Sequence, residues 1–351
     1  MSKPIAVDLF SGAGGVTRGL RMAGYSVAAA VEYDAVSAET YKLNNPRTAV
    51  FNEDIRKVTA EDVKSKLGGK KLGLLVACPP CQGFTSLTSK HKRDDPRNKL
   101  ADQVLRFVRE LRPAALMLEN VPRFATGSLG KPRFDRTVST LESLGYKVSW
   151  DILQAADFGT AQRRKRLILY AANREIDIPE TTHSSAKDAE VPWRTVKDEI
   201  AGTGRAEVHK LNRVKDVKSF RDWHVVRHLD EANAARVRAA KPGAPRWDLP
   251  EHLRPDCHKG SDRGFANVYG RMVWNEPSPT ITAGCTSPSK GRFIHPKNNR
   301  TISVMEAAML QDFPADYRIN CKQIDQVCSM IGNAFPARLA AAAAKQLGSV
   351  L

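Results

Sequence analysis

A thiol set just past the end of a buried strand is the first feature that could do chemistry. Residues 74–85 read LLVACPPCQGFT. Leu74 to Ala77 is a short apolar run of the kind that fills a strand covered on both faces. Pro79 and Pro80 cannot continue a ladder, so they force an extended turn and present Cys81 at the strand's carboxyl end, where open α/β sheets carry their chemistry. Gln82 and Gly83 follow, and a glycine there lets a ligand come close to the backbone. The pattern suits a nucleophilic thiol. Taken alone it equally suits a structural loop cysteine, or half of a Cys-Pro-Pro-Cys redox or metal pair formed with Cys78.

Other reactive residues sit at comparable places. Glu119, Asn120 and Val121 close the apolar run 114–118, so a carboxylate shares a sheet rim with Cys81 and could act as an acid, a base or a hydrogen-bond partner. Gln162, Arg163, Arg164, Lys165 and Arg166 precede the apolar run 167–171; a solvated surface would explain them, but guanidinium forks match phosphates and base edges. The strand 5–9 runs into Phe10, Ser11, Gly12, Ala13, Gly14 and Gly15 before a helical pattern. That is a nucleotide-type loop, although it is not a strict GxGxxG and a tight packing turn explains it nearly as well. The strand 27–31 ends in Glu32, Tyr33 and Asp34. Glu32 is placed to accept from ribose hydroxyls and Tyr33 to stack on a base, while Asp34 reads better as the cap of a helix over 35–44. A third short strand, 49–51, precedes Glu53, Asp54 and Ile55.

The elements that must position these residues alternate. Helical patterns over 98–111 and 134–144 interleave with strands at 114–118, 148–152 and 167–171, which predicts an α/β fold with a doubly wound, mostly parallel sheet. The rhythm breaks near residue 175. Residues 201–300 hold 19 Lys and Arg against 10 Asp and Glu, a net of +9 out of +17 for the 351-residue chain. Such a surplus calls for a polyanionic partner, nucleic acid first and an anionic membrane surface second. Trp223, Trp247, Phe265, Tyr269 and Trp274 interleave with those basic residues, and one helix is expected over 230–240. Cys257 and His258 lack a second spaced pair of ligands, so no zinc site is read there. Regular structure resumes with a helix over 303–311, then Gly332, Asn333 and Ala334 before an alanine-rich helix to 347. The expected division is a catalytic and cofactor-binding domain over 1–180, completed by 300–351, with 181–299 inserted as a smaller nucleic-acid-binding domain. No signal peptide or bilayer-spanning run is read, and the six cysteines make no disulfide framework; a cytoplasmic, reducing location follows as the expectation.

In order, and across nearly the whole chain, these motifs resemble the DNA (cytosine-5) methyltransferase family. DLFSGAGG at 8–15, PPCQ at 79–82, ENV at 119–121, QRRKR at 162–166, RTISVMEAAMLQDFP at 300–314 and GNAFP at 332–336 are similar to its motifs. The resemblance implies an S-adenosylmethionine-dependent fold with a seven-stranded sheet and a target-recognition domain over 181–299. It implies cofactor contacts from Phe10 to Gly15, with Glu32 on the ribose, and with Tyr33, Asp54 and Ile55 at the adenine. Pro79, Asn333 and Ala334 would complete that pocket. It implies transfer of a methyl group to C5 of a flipped-out cytosine in a specific double-stranded DNA sequence. Cys81 would attack C6 and Glu119 would hold N3 and N4 and supply a proton, a role that an apolar site favours. Arg166 would meet the cytosine O2, and Arg164 with Gln162 would support the loop. A monomer on DNA, near the nucleoid, is implied, and a cognate restriction endonuclease is left open. Two alternatives stand beside it: a tRNA cytosine methyltransferase, whose Cys-Phe-Thr tripeptide none of the six cysteines begins, and a catalytically inactive DNA-binding protein. The intact Cys81, Glu119 and glycine loop argue against the latter.

Overall fold

Short aliphatic runs flanked by glycine, proline and acidic residues cannot reach helical length, and they pair instead. In a computed structural model that describes residues 3–80, 99–186, 188–259 and 264–350, these runs form seven strands. They are β1 (Ile5–Leu9), β2 (Ser26–Val31), β3 (Ala49–Phe51), β4 (Leu74–Ala77), β5 (Ala115–Asn120), β6 (Lys147–Gln154) and β7 (Lys165–Ala172). The sheet order is β3-β2-β1-β4-β5-β7-β6. Strands β1 to β5 are parallel to one another; β7 runs antiparallel to both β5 and β6.

Alternation along each strand sorts side chains onto two faces. Val7, Leu9, Leu75, Leu116 and Leu118 enter one core with Phe107 and Phe124 from the helices that cover that face. Ala6, Val76, Met117, Ile168 and Tyr170 enter the other, with Leu339, Ala340 and Ala343. On this second face the helix Gly15–Met22 lies against the helix Ala337–Gln346 with almost no room between them. A Cβ built on Gly19 would stand 2.5 Å from the Ala340 Cβ and 2.6 Å from the Ala337 carbonyl oxygen, so only glycine fits without displacement.

The chain divides into two compact units, residues 1–158, 165–182 and 335–351 in one and 159–164 with 183–334 in the other. The expectation returned the chain to its first part at residue 300, whereas residues 300–334 pack in the second unit. The reason lies in their backbone partners: Phe220 N donates to Tyr317 O, Ile319 N to Lys218 O and Val214 N to Lys322 O. Glu306, fully buried, binds Arg300 at 2.7 Å and Thr203 Oγ1 at 3.0 Å. This unit also holds a two-stranded parallel ribbon of Glu207–His209 and Val225–Arg227, and the helices Glu231–Ala239, Val304–Met309 and Ile324–Asn333. The last was not expected; Gly332 and Asn333 form its C-terminal end and also stand ahead of the alanine-rich helix Ala337–Gln346, as expected. Of the five aromatic side chains read as interleaved with basic ones, Trp223 and Tyr269 are core residues, while Phe265 is 62% exposed. Among the described residues no helix is long and apolar enough to cross a membrane.

Gly19→Val should lower the unfolding free energy by about 2 kcal/mol, the cost of forcing methyl groups into a closed helix contact, as measured by urea denaturation. An unchanged midpoint would mean that the two helices separate freely.

Candidate active site

The loop after β1 is built from backbone conformations that side chains resist. Phe10 has φ 60°, and Gly12 and Gly14 have φ 54° and 98°. A left-handed phenylalanine costs on the order of 1 kcal/mol, and such outliers cluster at ligand sites. Ser11 N donates to Val31 O at 3.1 Å, which ties the loop to the end of β2. There the Glu32 carboxylate accepts from Gly12 N and from Asp34 N, both at 2.8 Å, and burial pushes its ionisation up. Asp34 caps the next helix by accepting from Ser37 N at 2.8 Å, the role expected of it.

Beneath the loop, Asp8 is fully buried on β1. Thr17 Oγ1 donates to Asp8 Oδ2 at 2.7 Å and lies 2.7 Å from the Tyr41 hydroxyl. Desolvation raises Asp8 to about 7, despite the Thr17 hydrogen bond and with the Glu32 charge acting in the same direction as burial. Asp8 Oδ1 and Ser11 Oγ are buried without a hydrogen-bond partner among the described residues. Orphaned buried oxygens beside a left-handed glycine loop and a carboxylate fit a polar, nucleoside-bearing cofactor. Nearby, Tyr33 is 75% exposed. Asp54 is committed to Arg56, whose Nε and Nη2 donate to it at 2.9 and 2.5 Å; this hydrogen bonding holds the carboxyl down at about 2. Ile55 is buried, and its carbonyl accepts from Arg106 Nη2 at 2.7 Å.

Four chemistry-bearing residues share one face of the sheet. Asp8 pairs with Val76, Ala77 with Leu118 and Glu119 with Ile168, so by alternation Asp8, Cys78, Glu119 and Arg166 point to the same side. Arg166 Nε binds Glu119 Oε1 at 2.7 Å, and its Nη1 donates to Lys165 O at 2.7 Å. Glu119 therefore lies between a guanidinium and a thiol. Asn120 Nδ2 donates to Pro79 O at 3.3 Å, tying the end of β5 to the turn that leaves β4. Cys81 and Gln82 lie outside the described residues. Among the described residues no group of three or more His, Cys, Asp or Glu could hold a metal ion.

Gln162 and Arg164 belong to the second unit, where they bind backbone. Arg164 Nη1 donates to Ile281 O at 2.9 Å, and its Nη2 to Gly332 O and Ala334 O, each at 3.0 Å. Gln162 Nε2 donates to Leu310 O at 2.9 Å and its Oε1 accepts from Ile281 N at 3.0 Å. These two residues stitch the segment around 281 to the helix ends near 310 and 334. Asn333 donates through Nδ2 to Ser329 Oγ at 3.4 Å. Two residues of the rim escaped the sequence reading: Asp8, and Cys78 as a neighbour of Glu119. Counting alternate positions forward from Ala6 and Val76 reaches Asp8 and Cys78, but only the strand register sets Cys78 beside Glu119.

An open seven-stranded sheet with one reversed strand beside its edge, a glycine loop after β1 and an acidic residue after β2 defines an S-adenosylmethionine-dependent methyltransferase fold. The structure is similar to that of a candidate DNA modification methyltransferase encoded within an E. coli prophage, with a TM-score of 0.74, 22% identity and 99% of each chain covered. It also resembles a Spodoptera frugiperda DNMT2 variant, with a TM-score of 0.66, 17% identity, and 98% of this chain and 99% of that one covered. In sequence, the chain is 34% identical to the Type II methylase M.HgiDII of Herpetosiphon aurantiacus over 97% of its own length and 94% of the relative's. It is 32% identical to the Type II methyltransferase M1.HphI of Haemophilus parahaemolyticus over 97% and 85%. A family model for C-5 cytosine-specific DNA methylase matches residues 5–349, and the chain belongs to that family. It is a DNA (cytosine-5-)-methyltransferase.

The proton on Asp8 gives a stability signature. Its carboxyl holds a proton more tightly in the folded state, at about 7, than at the ordinary 3.8, so its contribution is fully present below about pH 4 and is lost as pH rises through 7. Asp8→Asn carries no such loss. Urea denaturation at pH 5 and pH 8 should show the variant gaining on the wild type by on the order of 2 kcal/mol between the two conditions. A pH-independent difference would place the proton elsewhere.

Proposed function

We propose that this chain transfers a methyl group to C5 of a cytosine flipped out of a specific double-stranded DNA sequence, through a covalent adduct between Cys81 and C6. The observation that carries the reading is the rim position of Glu119, buried, bound to Arg166 at 2.7 Å and adjoining the strand whose exit turn leads to Cys81. Family membership supports DNA as the substrate, and the basic second unit supports contact with its backbone.

Cytosine C5 is a poor nucleophile and lies inside the stack, so the base must leave the duplex before it can react. The Cys81 sulfur attacks C6 while a proton reaches N3, and the electron pair of the C5–C6 double bond becomes available at C5. Glu119 is the group placed to hold the N3 and N4 edge and move that proton. Arg166, already bound to Glu119, offers its remaining donors to O2. S-adenosylmethionine, when bound, supplies an electrophilic methyl group. Phe10, Ser11, Gly12, Ala13, Gly14 and Gly15 would line its seat, with Glu32 on the ribose hydroxyls and Tyr33 and Ile55 beside the adenine. Asp54 would also face it, although its carboxylate is already shared with Arg56. Loss of the C5 proton to water and of the Cys81 sulfur from C6 then restores the ring as 5-methylcytosine.

Bisulfite sequencing of plasmid DNA from cells expressing the chain should reveal protected cytosines within one short sequence. Their absence, with labelled S-adenosylmethionine still bound by the purified protein, would favour an RNA acceptor or a silent DNA-binding role. Cys81→Ser should abolish transfer while leaving DNA binding largely intact, and wild-type turnover would remove the covalent step. Glu119→Gln should slow turnover by about 100-fold or more. Near-normal rates would take the proton role from Glu119.

A further inference from the structure

Cys78 is a second thiol at the rim, and the covalent chemistry does not use it. Strands β4 and β5 are parallel with Ala77 beside Leu118, so the next rung sets Cys78 beside Glu119 on the same face. There the Cys78 thiol is the cross-strand neighbour of the Glu119 carboxylate and can offer it a donor. From the other flank, on β7, Arg166 Nε reaches Glu119 Oε1 at 2.7 Å. We propose that Cys78 is a positioning residue of the reaction, whose thiol and the Arg166 guanidinium clamp the Glu119 carboxylate between two strands and fix the orientation in which it meets the base. The inference rests on the role given above to Glu119.

The thiol is suited to donating and not to attacking. Burial, then the neighbouring Glu119 and Asp8 carboxyls, push its ionisation well above the ordinary thiol value, and Arg166 opposes them only in part. It therefore keeps the hydrogen that the Glu119 contact requires. A second tie of the same sense, from Asn120 Nδ2 to Pro79 O, joins the ends of the same two strands at 3.3 Å. The carboxylate is thus held relative to the turn that leaves β4, as a group that must meet a base attacked from that turn has to be.

Serine keeps a donor of similar size, whereas valine fills the space and donates nothing. Methyl transfer from labelled S-adenosylmethionine to plasmid DNA should be followed for Cys78→Ser, Cys78→Val and Glu119→Gln, with thermal melts to confirm folding. Cys78→Ser is expected within about three-fold of wild type, and Cys78→Val to lose about ten-fold in kcat, with KM for DNA and for S-adenosylmethionine nearly unchanged. Adding Cys78→Val to Glu119→Gln should then cost little more, because the acceptor is already altered. A Cys78→Val rate equal to wild type, a Cys78→Ser rate as low as that of Cys78→Val, or full additivity in the double variant would each overturn the proposal. If Glu119→Gln is slow and Cys78→Val is not, only the role of Cys78 falls. If Glu119→Gln is itself normal, the reading of Glu119 falls and takes this one with it.

Discussion

Arg166 can reach Glu119 only because β7 runs against its neighbours. In a wholly parallel sheet every strand brings its last residues to the reactive rim and its first residues to the opposite edge. Reversal of β7 carries the start of a strand to that rim, and a basic residue preceding an apolar run arrives beside an acidic residue ending one. The pair is buried enough that neither charge could stand alone without a large desolvation penalty. Each therefore fixes the other, and the thiol from β4 completes the row. Strand polarity, more than any loop, assembles the candidate centre.

The second unit applies the same rule to its interior. Arg271, almost fully buried, donates to the carbonyls of Val237, Ala240, His295 and Asn298 and to Asn299 Oδ1. Burial lowers the proton affinity of its guanidinium, and the ring of acceptors offsets that cost. Burial also brings His295 down to about 4, so it remains neutral beside Glu306 and Arg300 at physiological pH. Irregular backbone with few strands needs such hubs, because its carbonyls find no ladder. Part of the basic surplus in this unit is therefore internal scaffolding.

Much of this was legible from residue order. Strands β1 to β5 announced themselves as aliphatic runs ending in Gly, Pro or acidic residues, and the glycine loop, Glu32 and Glu119 fell where the pattern put them. Four things were not legible, for separate physical reasons. An apolar strand carries no mark of direction, so the reversal of β7 and its ion pair were invisible. The helix Ile324–Asn333 begins without a Ser, Thr, Asp or Asn cap and ends in Gly-Asn, which read as a turn. Trp223 lies in a stretch dense with Arg and Asp, and only tertiary packing shows that it is core. Cys78 was read for its spacing to Cys81, and its cross-strand neighbour needed the register.

The seat of the first helix lies at the far end of the chain. The Tyr25 hydroxyl donates to Ala344 O across 319 residues of sequence, and Gly19 meets Ala340 a few ångströms away. During synthesis the loop at 10–15 emerges early, yet the surface that supports its helix is made only after the whole second unit has left the ribosome. Support for the helix that follows this loop is thereby coupled to completion of the second unit. A nascent chain stalled before residue 335 lacks the buttress of its own glycine loop, and closing so long a loop makes this contact one of the slowest to form.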